Sequence, residues 1–180
     1  MLEIIIPDVE LFDEVNNEFK TIKGAAIKLE HSLVSLSKWE SKWKKPFLTN
    51  DEKSYEETID YIKCMTLTQN VNPDLYNYID NKSINKINEY IGDPMTATTF
   101  GKETKGKRNT EIVTSELIYY WMIALNIPFE CQKWHLNRLL TLVRVCNIKN
   151  QPPKKMSKRE IMARNAALNA QRRKQLNSKG

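Results

Sequence analysis

Glycine is scarce in this chain, at 5 of 180 residues. That argues against a glycine-rich nucleotide-binding fold and against a large β-sandwich, both of which need many tight turns and close backbone approaches. Histidine is scarcer, at 2. Cys131 and His135 are spaced to share a helix face, but two ligands do not close a zinc site. A Cys/His nucleophile also needs a third group to orient the base. No catalytic residue, metal ligand or cofactor site is therefore expected, and Cys131 and His135 read as core. The three cysteines, Cys64, Cys131 and Cys146, are odd in number and sit in apolar helical patterns, as reduced thiols do rather than a disulfide framework. Long hydrophobic runs are missing too. The longest, Leu117–Leu125, is about half of a bilayer span, which argues against a membrane role. Met1–Ile6 lacks a basic lead-in and meets Pro7 early, so no signal peptide is expected.

Acidic residues are nearly absent from the end of the chain. Residues 149–180 hold ten Lys and Arg against one Glu, a net +9, while the first 148 residues hold 18 basic and 21 acidic residues, a net −3. The overall +6 is thus a property of the tail. The paired carboxylates Asp13-Glu14, Asp51-Glu52 and Glu56-Glu57 are sequence neighbours. On a helix they point about 100° apart, so they read as solvated faces and not as acid/base pairs.

The sequence is rich in helical periodicity. Residues 114–148 read as two helices around a short turn, the expected heart of the core. Thr114 or Ser115 caps the first, and Leu117, Ile118, Trp121, Met122 and Leu125 form its stripe. Asn126 suits the left-handed residue that ends a helix, and Pro128 the first position of the next. That second helix would carry Cys131, Trp134, Leu139, Leu142, Val143 and Cys146. Upstream, Leu33, Leu36, Trp39 and Trp43 recur at helical spacing and stop before Pro46-Phe47. Trp39, Trp43 and Phe47 fit a docking surface, although aromatics at this spacing usually build cores. A further helix is expected over Asn50–Met65, with Ser54 and Glu57 in capping-box spacing. Asn72-Pro73 opens a short helical turn, and Ser83–Ile91 is a helix with Ile84, Ile87 and Ile91 inward.

The N-terminus reads differently. Leu2–Ile6 is a β-branched strand stopped by Pro7, and Asp8–Glu14 fits either state. Glu18–Ile22 and Ala25–His31 flank Lys23-Gly24, which has the look of a hairpin turn. Met95–Phe100 is Thr-rich and suits an extended segment. Gly101–Asn109 has no apolar residue and reads as a solvated, mobile loop without the spacing of a phosphate-binding loop. The expected fold class is α+β, predominantly helical. A small N-terminal antiparallel sheet and a helical core with a C-terminal helix hairpin would fill 1–148, and 149–180 would be a Pro-Pro linker with a projecting basic helix.

That helix begins at Ser157-Lys-Arg-Glu160, a capping box, and continues through strong helix formers to Gln175. Lys154, Lys155, Lys158, Arg159, Arg164, Arg172, Arg173 and Lys174 suit a merely solubilising tail, phosphates or an acidic protein. No aromatic is interleaved for base stacking. The thin stripe of Ile161, Met162, Asn165 and Leu168 favours a protein partner, since a pure phosphate-binding arm needs no apolar face.

Several stretches together resemble the small tail assembly chaperones of long-tailed bacteriophages. They are His31-Ser-Leu-Val-Ser-Leu-Ser-Lys-Trp-Glu-Ser-Lys-Trp43 with Pro46-Phe47, Ser115-Glu-Leu-Ile-Tyr-Tyr-Trp121, Asn126-Ile-Pro-Phe129, Pro152-Pro-Lys-Lys-Met-Ser157 and Arg164-Asn-Ala-Ala-Leu-Asn-Ala-Gln-Arg-Arg-Lys174. The resemblance covers about two-thirds of the chain and involves no catalytic signature. It implies a binder and not an enzyme, which holds the aggregation-prone tape-measure protein, or another tail protein, in the host cytoplasm while the tail tube assembles. Tyr119 and Tyr120 join Trp39, Trp43, Phe47, Ile161, Leu168 and the basic tail residues as partner-binding candidates. A second copy of the chain is a further candidate partner. The resembled chaperones are commonly acidic overall, whereas this chain is basic through its tail. A structural or connector role in the virion, and nucleic-acid binding through the tail, are the alternative readings.

Overall fold

Leu2–Ile6 forms β1, followed by Val9–Asp13 (β2), Glu18–Ile22 (β3) and Ala25–Leu29 (β4), in a computed structural model that describes residues 1–13, 17–101, 111–152 and 157–177. Pairing differs from the expected hairpin about Lys23-Gly24. β3 does not pair with β4. Instead β2 pairs with β3 and β1 with β4, both antiparallel. Ile6 faces Ala25 and Val9 faces Ile22, three residues on in each strand, so one register continues through the interruption. The strands form a single nested ribbon. Pro7 offers no ladder N–H at the break. Opposite it, the Gly24 N–H donates to Asp8 Oδ1 at 2.7 Å. A Cβ on Gly24 would lie 2.2 Å from the Ile6 carbonyl oxygen, so glycine is required for close approach and not for a tight turn.

Helices follow the ribbon. Ser32 caps Leu33–Trp43 (α1): its Oγ accepts from the Ser35 N–H, and Ser35 Oγ accepts from the Ser32 N–H at 2.9 Å. Lys44, at φ 55°, ends α1 in the left-handed conformation. Tyr55–Met65 is α2. It starts later than the expected Asn50 because Ser54 and Glu57 make both capping-box bonds and so fix the N-terminus. Pro73–Tyr78 is a 3₁₀ turn, and Asn81–Gly92 (α3) begins at the cap Asp80. Met95–Phe100 forms no strand, and 102–110, which includes most of the predicted loop, lies outside the described residues.

Ser115–Ala124 is α4, capped by Thr114. Asn126 has φ 52°, as expected of a helix-ending residue. The second helix of the expected pair is divided. Phe129–Lys133 is a 3₁₀ turn, Trp134 is extended, and Leu136–Asn150 forms α5. The physical reason is a competing backbone partner. His135 forms a β-bridge with Ser32, and the Leu136 N–H donates to the His31 carbonyl at 2.7 Å. Lys158–Leu176 is α6. The fold is α+β and dominated by helices. The chain divides into two compact units, Met1–Asn147 and Ile148–Gly180.

Two apolar clusters fill the first unit. One joins the inner ribbon face (Ile4, Ile6, Ile27, Leu29) to Trp39, to Ile59, Ile62 and Met65 of α2, and to Ile87 of α3. The other joins Leu33 and Leu36 to Ile118 and Met122 of α4 and to Leu136, Leu139 and Val143 of α5. Each aliphatic side chain fully buried here contributes roughly 1.5–3 kcal/mol. Phe47 packs against both clusters.

Candidate protein-docking surface

Trp39 is core and not surface. It is 1% exposed, and its indole N–H donates to the Glu57 carbonyl at 2.9 Å. The docking role predicted for Trp39 is therefore corrected: the side chain is fully used inside the fold. Trp43 is half-buried, with its indole N–H on Asp60 Oδ2 at 2.9 Å, and Lys42 pairs with the same carboxylate. Phe47 is half-buried too. It stacks on Tyr61 with ring centroids 3.9 Å apart and carries Lys53 Nζ 4.5 Å above its ring. The edges of Phe47 and Tyr61, with Ile84, Ile87 and Ile91 of α3, line a cavity of about 240 Å³. The aromatic group is thus a wall between α1, α2 and α3, with little ring area left for a partner.

α4 is different. Ile118 and Met122 are buried, and Leu117, Tyr119, Trp121 and Leu125 are half-buried. Tyr119 is held by its hydroxyl, which donates to Gln132 Oε1 at 2.9 Å. Tyr120 is nevertheless 62% exposed and Ile123 61%. Phe129 follows in the next turn at 52% exposed, its ring 6.4 Å from that of Tyr119. A helix this apolar on all sides is ordinarily buried on all sides. Here α4 lies against α1 on one side and leaves a second apolar face open. Tyr120 was within reach of sequence reasoning. Ile123 was missed, although the uninterrupted run Leu117–Leu125 was the available signal, and Phe129, beyond that run, was missed without one.

Cys131 and His135 are both buried, each 5% exposed, as their reading as core residues expected. Burial raises the Cys131 thiol above its usual range. His135 is consumed by other partners. Its Nε2 faces the Tyr90 carbonyl at 2.9 Å, which only accepts, so Nε2 carries the proton. Its Nδ1 accepts from the Asn137 N–H at 3.3 Å. Against it, with ring centroids 5.1 Å apart, packs His31, whose Nδ1 lies 2.6 Å from the Tyr61 hydroxyl. Burial, with His135 adding repulsion, lowers His31 to about 3. Burial raises Tyr61 as well, so the phenol keeps its proton and donates it to a neutral imidazole. Among the described residues no group of three or more His, Cys, Asp and Glu is placed to hold a metal ion. Among them, too, no helix is long and apolar enough to cross a membrane.

A buried carboxylate positions α4. Glu40, on α1, accepts from the Phe47 N–H at 2.8 Å and from the Ser115 N–H at 2.7 Å. The second bond sets an anion on the first turn of α4, where unpaired N–H groups and the helix dipole favour it. The open face of α4 is thereby tied to α1 through Glu40. No family model, curated protein or solved structure matches this chain.

The remaining candidates lie in the tail. α6 carries Lys158, Arg159, Ile161, Arg164, Leu168, Arg172, Arg173 and Lys174, all exposed. Lys154 and Lys155 lie outside the described residues.

Proposed function

We propose that this chain is a non-enzymatic protein-binding factor, a tail assembly chaperone of long-tailed bacteriophages that holds the tape-measure protein in the host cytoplasm during tail assembly. The reading rests on the open apolar face of α4, formed by Tyr120 and Ile123 with Phe129 beside it. Two large side chains three residues apart on one helix face, with the aromatic Phe129 at its end, suit the apolar stripe of a partner helix. A long partner with many such helices would be covered by many weakly held copies. Burial of Tyr120 and Ile123 on binding removes from water the apolar area that most needs covering.

The test is a tagged pull-down from infected cells, with mass spectrometry of the captured proteins and of purified virions. The expected result is a long helical phage protein in the pull-down and the tagged chain missing from virions. A double substitution, Tyr120→Ser with Ile123→Ser, should abolish capture while leaving thermal unfolding unchanged. Stoichiometric presence in virions overturns the reading and makes the chain a structural component. Capture unaffected by the double substitution removes α4 as the docking face.

A further inference from the structure

α6 points to a second binding activity, distinct from the α4 face. It is a helix of 19 residues that buries none of them. Between Lys158 and Leu176 it holds six basic residues and one acidic one, Glu160, a net +5. Glu160 is already committed: its carboxylate accepts from the Ser157 N–H at 2.8 Å and closes the capping box. No ion pair within the described residues holds Lys158, Arg159, Arg172, Arg173 or Lys174.

The arrangement of these charges says what they face. At 100° per residue, Arg172 and Lys158 fall within the same arc as Ile161, Leu168 and Leu176, while Arg159, Arg173 and Lys174 continue around the opposite side. No side of the helix is free of charge. The stripe Ile161, Met162 and Leu168 that favoured a protein groove in the sequence is therefore not a usable face. A helix docking in a protein groove needs apolar anchors at i, i+3, i+4 and i+7 and keeps its charges away from them. A helix lying in the major groove of B-form DNA has phosphates on both flanks, so charge all round it is an advantage. The dimensions agree. An α-helix with side chains is about 10–12 Å across, and the groove is about 12 Å wide. At about 1.5 Å per residue, α6 spans roughly 28 Å, a length of duplex carrying roughly 17 phosphates at about 1.7 Å each. Arg159, Arg172 and Arg173 present the planar donor fork that matches phosphate oxygens. No aromatic residue lies in the helix, so single-stranded bases have nothing to stack on.

We infer that α6 binds double-stranded DNA through its phosphates, in the major groove and without sequence preference. The experiment uses the full chain and a fluorescein-labelled duplex of about 25 base pairs and arbitrary sequence, read by anisotropy across a salt series. Five phosphate contacts give a slope of log K against log salt near −4.5, a loss of about 500-fold between 50 and 200 mM. The triple substitution Arg172→Gln, Arg173→Gln, Lys174→Gln should flatten that slope by about 2.7. Glutamine keeps helix propensity, and circular dichroism of the variant should match the parent. Duplex RNA, whose major groove is too narrow for the helix, should bind more weakly. The inference is overturned by absence of binding at 50 mM salt, or by a slope the triple substitution leaves unchanged. It is equally overturned if polyglutamate of matched charge binds as tightly as the duplex, which would assign the helix to an acidic protein.

Discussion

Lowering the pH from 7.5 to 5 should cost the fold about 2 kcal/mol through His31 alone. His31 is lowered from 6.5 to about 3 by burial and by the adjacent His135. The unfolded chain therefore takes up the proton some three pH units before the folded one does. Stability from this site is complete above pH 6.5 and is lost progressively as the pH falls from 6.5 towards 3. At pH 5 the unfolded state has gained about 1.5 units of protonation free energy and the folded state almost none. At about 1.36 kcal/mol per unit, that is the 2 kcal/mol above. The hydrogen-bonded carboxylates Glu57, Asp80 and Glu116 also have lowered values, the first mainly through Lys45. Their contribution is lost only as the pH falls through the ordinary carboxylate range, below about 5, so they add little over the interval from 7.5 to 5. The assay is urea denaturation followed by far-ultraviolet circular dichroism at the two pH values. His31→Gln keeps an acceptor for the Tyr61 hydroxyl but does not titrate. Its stability at pH 7.5 will be lower than the parent's, and most of its pH dependence over this interval should vanish. Equal stability of the parent at both pH values would refute the reasoning, and so would an undiminished pH dependence in the variant.

Other substitutions test the remaining supports. Glu40→Ala leaves the Phe47 and Ser115 N–H groups without their acceptor and should destabilise by roughly 3 kcal/mol, measured by urea denaturation at pH 7.5. Trp39→Ala should cost about 3–5 kcal/mol in the same assay, whereas Tyr120→Ser should stay within about 0.5 kcal/mol because its ring is already in water. Gly24→Ala forces a methyl group against the Ile6 carbonyl and should lower stability by about 1–3 kcal/mol, visible as an earlier thermal transition.

The helices were legible where a cap and an apolar stripe agreed. Thr114, and Ser157 with Glu160, cap the helices that their spacing announces, whereas Ser54 with Glu57 starts α2 at Tyr55, inside the longer helix expected from Asn50. The misreadings share a cause, a backbone partner distant in sequence. Gly24 looks like a turn residue from its neighbours alone, and only its contact with Ile6 reveals why glycine stands there. His135 looks like the interior of a helix until its bridge to Ser32 is known. Glu40 gave no signal at all, because the N–H groups it satisfies lie 7 and 75 residues away. Trp39 and Tyr120 show the same limit for the candidate site. Both are large aromatics on helices, and only the packing of α1 between its neighbours makes one core and leaves the other exposed.

α1 also decides how Met1–Asn147 can come apart. Leu33 and Leu36 belong to the cluster shared with α4 and α5, and Trp39, one turn on, belongs to the cluster shared with the ribbon, α2 and α3. One helix of 11 residues is thus a party wall, with a different room on each side. Neither room keeps its shape when the wall is removed. The ribbon layer and the C-terminal helices are consequently not exchangeable modules, and a chimera that replaced either one would have to rebuild the apolar contacts of both.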